Sequence, residues 1–160
     1  MQLVLKMAEI KDNGLGRLKV TLKDPDDGRE FYIQLGNTGE LVPAADATIF
    51  TARKYRGQSA KDLPDAFYFR VTNSDFYLDQ GLANGILYRN KPFISTDLSM
   101  IWAWRLTGGE LEAVAVADKY GLQKLCTFSI PNIEVPAIRC LFTQNLAVNE
   151  QIANVEWEVV

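Results

Sequence analysis

The sequence predicts an all-β protein, and three observations lead there. Short runs rich in aromatic and β-branched residues recur along all 160 residues, each bounded by Gly, Asn, Asp or Pro. The spacing of three and four that marks an amphipathic helix is nearly absent. Finally, Asn13-Gly14, Asp27-Gly28, Asn84-Gly85 and Gly108-Gly109 supply the positive-φ positions that tight turns between strands require.

The elements follow in order. LVLKMAE at residues 3–9 is an apolar run interrupted by Lys6, with no small-residue cleavage pattern after it, so it reads as a strand and not as a signal peptide. LKVTLK at 18–23 and FYIQL at 31–35 flank the Asp27-Gly28 turn. ELVP at 40–43 ends at a proline, which cannot continue a ladder. TIFTARK at 48–54 and FYFRVT at 67–72 are rich in β-branched and aromatic residues. FYLD at 76–79 and ILYR at 86–89 enclose Asn84-Gly85, and IWAWRL at 101–106 precedes Gly108-Gly109. QKLCTFS at 123–129, AIRCLFT at 137–143 and VEWEVV at 155–160 complete the series. Residues 109–125 contain good helix formers, and a helix from 110 to 120 competes there. Leu111, Ala113, Ala115 and Ala117 alternate with Glu112, Val114, Val116 and Asp118, however, which favours a strand over 111–117.

The runs repeat. EFYIQLGNTGEL at 30–41 is echoed 45 residues later by DFYLDQGLANGIL at 75–87, and more faintly by Asp118-Lys119-Tyr120-Gly121. Downstream of each echo lies a strand centred on one large aromatic: Phe50, Trp104 and Trp157, at spacings of 54 and 53. Residues two apart share a strand face. Thr48, Phe50 and Ala52 therefore lie together, as do Trp102, Trp104 and Leu106, and Val155, Trp157 and Val159. The opposite faces carry Thr51 and Arg53, Ala103 and Arg105, and Glu156 and Glu158, and are expected to be largely polar and outward. Residues 1–160 thus form one expected domain of three pseudo-repeats, about 1–56, 57–108 and 109–160.

Three all-β units of about four short strands, each closed by Phe or Trp, resemble a β-trefoil. The resemblance covers residues 18–160 and implies a six-stranded barrel capped by three hairpins. It implies that Phe50, Trp104 and Trp157 form one layer of the barrel core. Residues 3–9 leave thirteen strands for twelve places, as either the first strand of unit one or an extra flap.

Composition limits the function. A net charge of −3 gives no basic face for nucleic acid. No apolar run approaches the roughly 20 residues that cross a bilayer, so no membrane insertion is expected, and the protein is read as cytoplasmic or released without a recognisable signal peptide. The absence of histidine removes Ser-His-Asp and Cys-His catalysis and His-ligated zinc. Cys126 and Cys140 fit no Cys-x-x-Cys motif and read as small apolar side chains in facing strands. The expectation is a binding protein, not an enzyme, with no metal and no cofactor.

Three binding readings follow. The chain is similar to ricin-B-type lectins in that Trp104 and Trp157 stand at the closing Trp, while Trp102 and Val155 replace the usual Gln. Leu78-Asp79 matches that family's Leu-Asp pair, whereas unit one has Ile33-Gln34. This implies one carbohydrate site, with Asp79 accepting hydroxyl hydrogen bonds, Tyr88 stacking on the sugar, and Asn84 or Asn90 as polar partners. Trefoil protease inhibitors of mushroom and plant types suggest the second reading, with candidate loops at 55–65, 90–100 and 130–136. The third is a structural subunit that binds an assembly neighbour. A lectin needs Asp79 and Tyr88 exposed and convergent, an inhibitor needs an ordered protruding loop, and an assembly subunit needs a broad apolar patch. Asp24 to Gly28 lacks the distal Glu of a calcium loop and reads as a solvated turn. The pairs Glu110/Glu112 and Glu156/Glu158 read as outer-face charges that blunt edge pairing.

Overall fold

The computed structural model describes residues 9–23, 28–57, 60–114 and 123–160. Among these residues thirteen antiparallel strands make one sheet: β1 (Leu15–Thr21), β2 (Glu30–Leu35), β3 (Gly39–Val42), β4 (Phe50–Lys54), β5 (Ala66–Val71), β6 (Tyr77–Gln80) and β7 (Leu87–Asn90), then β8 (Ala103–Thr107), β9 (Glu110–Val114), β10 (Gln123–Phe128), β11 (Ala137–Leu141), β12 (Glu150–Ile152) and β13 (Asn154–Val159). Single 3₁₀ turns occupy Ala44–Asp46 and Thr143–Asn145, and the described residues include no α-helix. None of them forms a helix long and apolar enough to cross a membrane.

The ladder runs β11-β10-β9-β8-β5-β4-β1-β2-β3, with β13 on β1, β12 on β10, and the β6–β7 hairpin on β5. β9 and β13 share no ladder among the described residues, but Val155 N donates to Gly109 O at 2.7 Å between them. Strands β3, β7 and β11, one from each of three hairpins, come against one another. Gly85 locks two of these hairpins, because its carbonyl accepts the Cys140 amide at 2.7 Å. Its φ of +69° and the closeness of the Cys140 carbonyl leave no room for a side chain.

Alternation explains the core. In β1, Leu18 and Val20 are buried while Lys19 between them is only partly covered, and in β13 Val155 and Trp157 alternate with Glu156 and Glu158 in the same way. Phe50, Trp104 and Trp157 belong to one apolar cluster. Phe69 bridges two of them, edge-on to Phe50 at 6.0 Å and stacked on Trp157 at 5.4 Å. The Trp104 indole N–H is satisfied by the Leu78 carbonyl at 3.0 Å. Gly16 makes room for the Trp157 ring, which lies where its Cβ would be.

Several sequence expectations need correction. The opposite face is not uniformly outward: Thr51 and Ala103 are buried. Ala103 joins a second apolar cluster with Tyr55, Ala66, Tyr68, Tyr77, Ile101 and Val114, on which Ala60, Leu63 and Leu98 pack. Val159, expected to line the core, is exposed. The competing helix is excluded over Glu110–Val114, which is strand, while 115–120 lie outside the described residues. The expected strand at 3–9 and the turn carboxylates Asp24, Asp26 and Asp27 also fall outside them, save Glu9, which is not in a strand. β12 was not expected, since three residues of EQI carry no alternation to read. The carboxylate pairs are less solvated than expected. Glu112 is buried and ion-paired with Arg105 at 2.7 Å and Lys124 at 3.6 Å, and Glu110 meets Lys124 at 2.6 Å. Glu158 meets Arg17 and accepts the Tyr32 hydroxyl at 2.7 Å, and Glu156 meets Lys19 at 3.4 Å.

Candidate functional site

The residues singled out for sugar binding sit on the β6–β7 hairpin. Its register sets Asp79 opposite Tyr88 and Tyr77 opposite Asn90, so that Asp79, Tyr88 and Asn90 are neighbours. Asn84 is not among them: it sits in the turn, where its Oδ1 accepts the Ile86 amide at 2.9 Å.

Asp79 is only 1% exposed, so of the two conditions for a sugar site convergence is met and exposure of the carboxylate is not. Its Oδ1 accepts the backbone N–H groups of Gln80 at 3.0 Å and Trp102 at 3.2 Å. Its Oδ2 accepts Asn90 Nδ2 at 2.9 Å and, more weakly, the Tyr88 hydroxyl at 3.4 Å. Burial raises the Asp79 pKa above its usual 3.8, and these four donors oppose the rise. Tyr88 is half-buried, and its hydroxyl pKa is raised by burial and by the Asp79 charge.

This geometry has a mechanical meaning. Asn90 is the last residue of β7 and Trp102 immediately precedes β8, so one carboxylate ties together both ends of the intervening loop. The loop was a candidate in its own right at 90–100. Leu98 and Ile101 anchor it in the second cluster, within which Tyr55, Tyr68 and Tyr77 form an edge-to-face series with centroids 5.7 and 6.3 Å apart. Burial, with the neighbouring Tyr55 and Tyr77, pushes the Tyr68 hydroxyl up to about 12. Internal bonds stiffen the loop further: Asp97 N to Ile94 O at 2.9 Å, Ser99 N to Asp97 Oδ1 at 3.0 Å and Ile101 N to Leu98 O at 3.0 Å. Hydrogen bonds from Ser99 hold the Asp97 pKa below its usual value.

The loop's outer side is apolar. Phe93, directly after Pro92, is fully exposed, and Ile94 and Met100 are more than half exposed. An uncovered Phe forgoes the roughly 1.5–3 kcal/mol that burying its side chain would contribute. The other two candidate loops differ. In 55–65 the described apolar residues Tyr55, Ala60 and Leu63 turn inward onto the second cluster. In 130–136, Ile130, Ile133 and Val135 are exposed, but none as fully as Phe93.

Cys126 and Cys140 do lie on facing strands, but the register pairs Leu125 with Cys140 and Cys126 with Arg139, which places the two thiols on opposite faces. Both are buried and free, and burial pushes Cys126 up to about 11 and Cys140 higher still. The described residues include no group of three His, Cys, Asp or Glu side chains arranged to hold a metal ion. In comparison with known proteins, the chain matches no family model, no curated protein and no solved structure.

The sequence reading grouped Asp79 and Tyr88 with Asn84 or Asn90 and missed the tie to Trp102. That bond uses a backbone amide 23 residues away, for which side-chain identities carry no signal.

Proposed function

We propose that this chain is a non-enzymatic binding protein with the β-trefoil arrangement, which inserts the 90–100 loop into an apolar cleft of a protein partner in the manner of a protease inhibitor. The observation that carries this reading is the fully exposed Phe93 on a loop tied at both ends by Asp79 and anchored by Leu98 and Ile101. A pre-ordered loop loses little conformational entropy on docking, so more of its contact energy appears as affinity. An exposed aromatic that enters a partner's pocket is the usual centre of a binding hot spot.

Support for the trefoil arrangement comes from the succession β13-β1-β4-β5-β8-β9, which takes two strands from each pseudo-repeat, and from the Val155–Gly109 hydrogen bond between its ends. The mutual contact of β3, β7 and β11 fits a three-hairpin cap. Carbohydrate binding at Asp79 is the weaker reading, because a sugar hydroxyl could reach that carboxylate only by displacing the bonds that hold the loop.

The test is a panel of serine and cysteine proteases, weighted toward those with large apolar specificity pockets. Tight inhibition of at least one member is expected, and Phe93→Ala should weaken it roughly 30-fold or more, the effect of losing a hot-spot aromatic. Inhibition that is indifferent to Phe93→Ala, or no inhibition at micromolar protein, would reject the loop reading. A glycan array with wild type and Asp79→Ala tests the carbohydrate reading in parallel.

A further inference from the structure

Beneath the same loop, on the outer face of β4 and β5, lies a cleft of about 400 Å³ that includes Arg53, Arg70, Tyr77, Ser95 and Thr96 in its lining. The register makes the two arginines diagonal neighbours: Arg70 stands opposite Thr51, and Arg53 stands opposite Tyr68. Diagonal partners on one face lie about 7–8 Å apart at the backbone, within converging reach of two long side chains. Tyr77 stands directly opposite Arg70 on β6.

These arginines are unlike others on the strands. Arg17, Arg105 and Arg139 each meet a carboxylate, Glu158, Glu112 and Glu150 respectively. Arg89 lies over the Phe76 ring and reaches Asn37. Among the described residues neither Arg53 nor Arg70 makes an ion pair or a side-chain hydrogen bond; Arg70 Nε is buried with no partner, as are those of Arg17 and Arg139, whose other guanidinium nitrogens are paired. The nearby carboxylates are otherwise engaged. Asp12, whose pKa is lowered partly by the Arg53 charge, gives its oxygens to the Lys54 amide and to Arg56. Asp97 accepts from Ser99, and Asp75, which also lines the cleft, has Lys91 at 4.0 Å. Two adjacent guanidinium groups that no carboxylate contacts repel each other, and an anion between them would relieve that repulsion.

We propose that this cleft is an oxyanion site, in which the guanidinium groups of Arg53 and Arg70 hold a phosphate or sulfate group with the help of the Ser95 and Thr96 hydroxyls. Planar guanidinium forks match the oxygens of such groups, and the hydroxyls supply single, adjustable donors. The volume exceeds that of a bare ion and admits a small phosphorylated or sulfated molecule. The site stands independently of what Phe93 contacts.

The experiment measures thermal unfolding of the full chain in chloride and in inorganic phosphate, sulfate or acetate at matched ionic strength. Concentrations stay at or below about 10 mM, where general salting effects are small. Wild type should gain about 2–4 °C in Tm once phosphate or sulfate exceeds its Kd severalfold. Arg53→Gln combined with Arg70→Gln should abolish the gain while leaving Tm in chloride unchanged or higher, since the variant removes a repulsion. A response to phosphate alone or to sulfate alone supports the site and identifies its source. An equal gain with acetate would overturn the tetrahedral oxyanion, and an equal gain in the double variant, or none in wild type, would overturn the site. Side-chain ¹⁵N shifts of Arg70 Nε on phosphate titration of wild type give the same decision without a variant.

Discussion

Replacing Asp79 by Ala removes the acceptor shared by four donors, and its consequences can be estimated bond by bond. The Trp102 amide is buried and loses its acceptor, as does the Gln80 amide, while Asn90 and Tyr88 are partly open and can turn to water. A buried donor left without a partner costs about 1–3 kcal/mol. Two such amides, with the cavity left by the carboxyl and partial compensation at Asn90 and Tyr88, give a loss of about 3–5 kcal/mol. That is also the range for removing one member of a buried charged network. Asp79→Asn should be milder, at about 1–2 kcal/mol, because its carbonyl still serves the two amides while its NH2 group faces that of Asn90. Urea denaturation monitored by tryptophan fluorescence measures both. Protease inhibition should also fall in Asp79→Ala under conditions where the protein is still folded, because the loop has lost its base. A cost below about 1 kcal/mol with undiminished inhibition would refute the idea that this carboxylate holds the loop.

Gly85→Ala should destabilise by more than about 1–3 kcal/mol, since it combines a left-handed backbone position with overlap of the Cys140 carbonyl; equilibrium unfolding checks it. Neither thiol should react with Ellman's reagent at pH 8 until the chain is unfolded, when both should, because Cys126 and Cys140 are buried and protonated. The two best-placed carboxyl groups should titrate in opposite senses, as read by ¹³C carboxyl shifts. Asp79 is raised above 3.8, so its contribution to stability is greatest below that value and falls as pH rises through its folded pKa. Glu158 is lowered from 4.5 by the Tyr32 hydroxyl and Arg17, so its contribution is present above 4.5 and is lost as pH falls through its folded pKa.

The strands were legible because their cores obey a period of two, and a single face of burial selects the register. Leu18-Lys19-Val20 and Val155-Glu156-Trp157 could be read directly, and so could the aromatics Phe50, Trp104 and Trp157, which share one cluster. What failed was the assumption that the other face is wet. Ala103 and Tyr68 lie outside the main core yet are buried, because two loops fold back over them. Small and tyrosine side chains suit either environment, and loop paths are not written in local periodicity. The site was half legible for the same reason. The lectin resemblance put Asp79 and Tyr88 together with Asn84 or Asn90; the register makes Asn90 their neighbour and leaves Asn84 in the turn, and the role of Asp79 depends on burial and on the Trp102 amide. The 90–100 loop could be recognised from Pro92, whereas the outward aim of Phe93 follows from the inward anchoring of Leu98 and Ile101.

The most direct measurement is hydrogen exchange of the loop amides in the free wild-type protein, at Asp97, Ser99, Ile101 and Trp102, each of which donates to a defined acceptor. A binding loop ordered in advance predicts protection at all four, with Trp102 slowest because its acceptor is the buried Asp79. Exchange at unstructured-peptide rates across the four would contradict the account, leaving Phe93 on a loop that must be ordered by its partner.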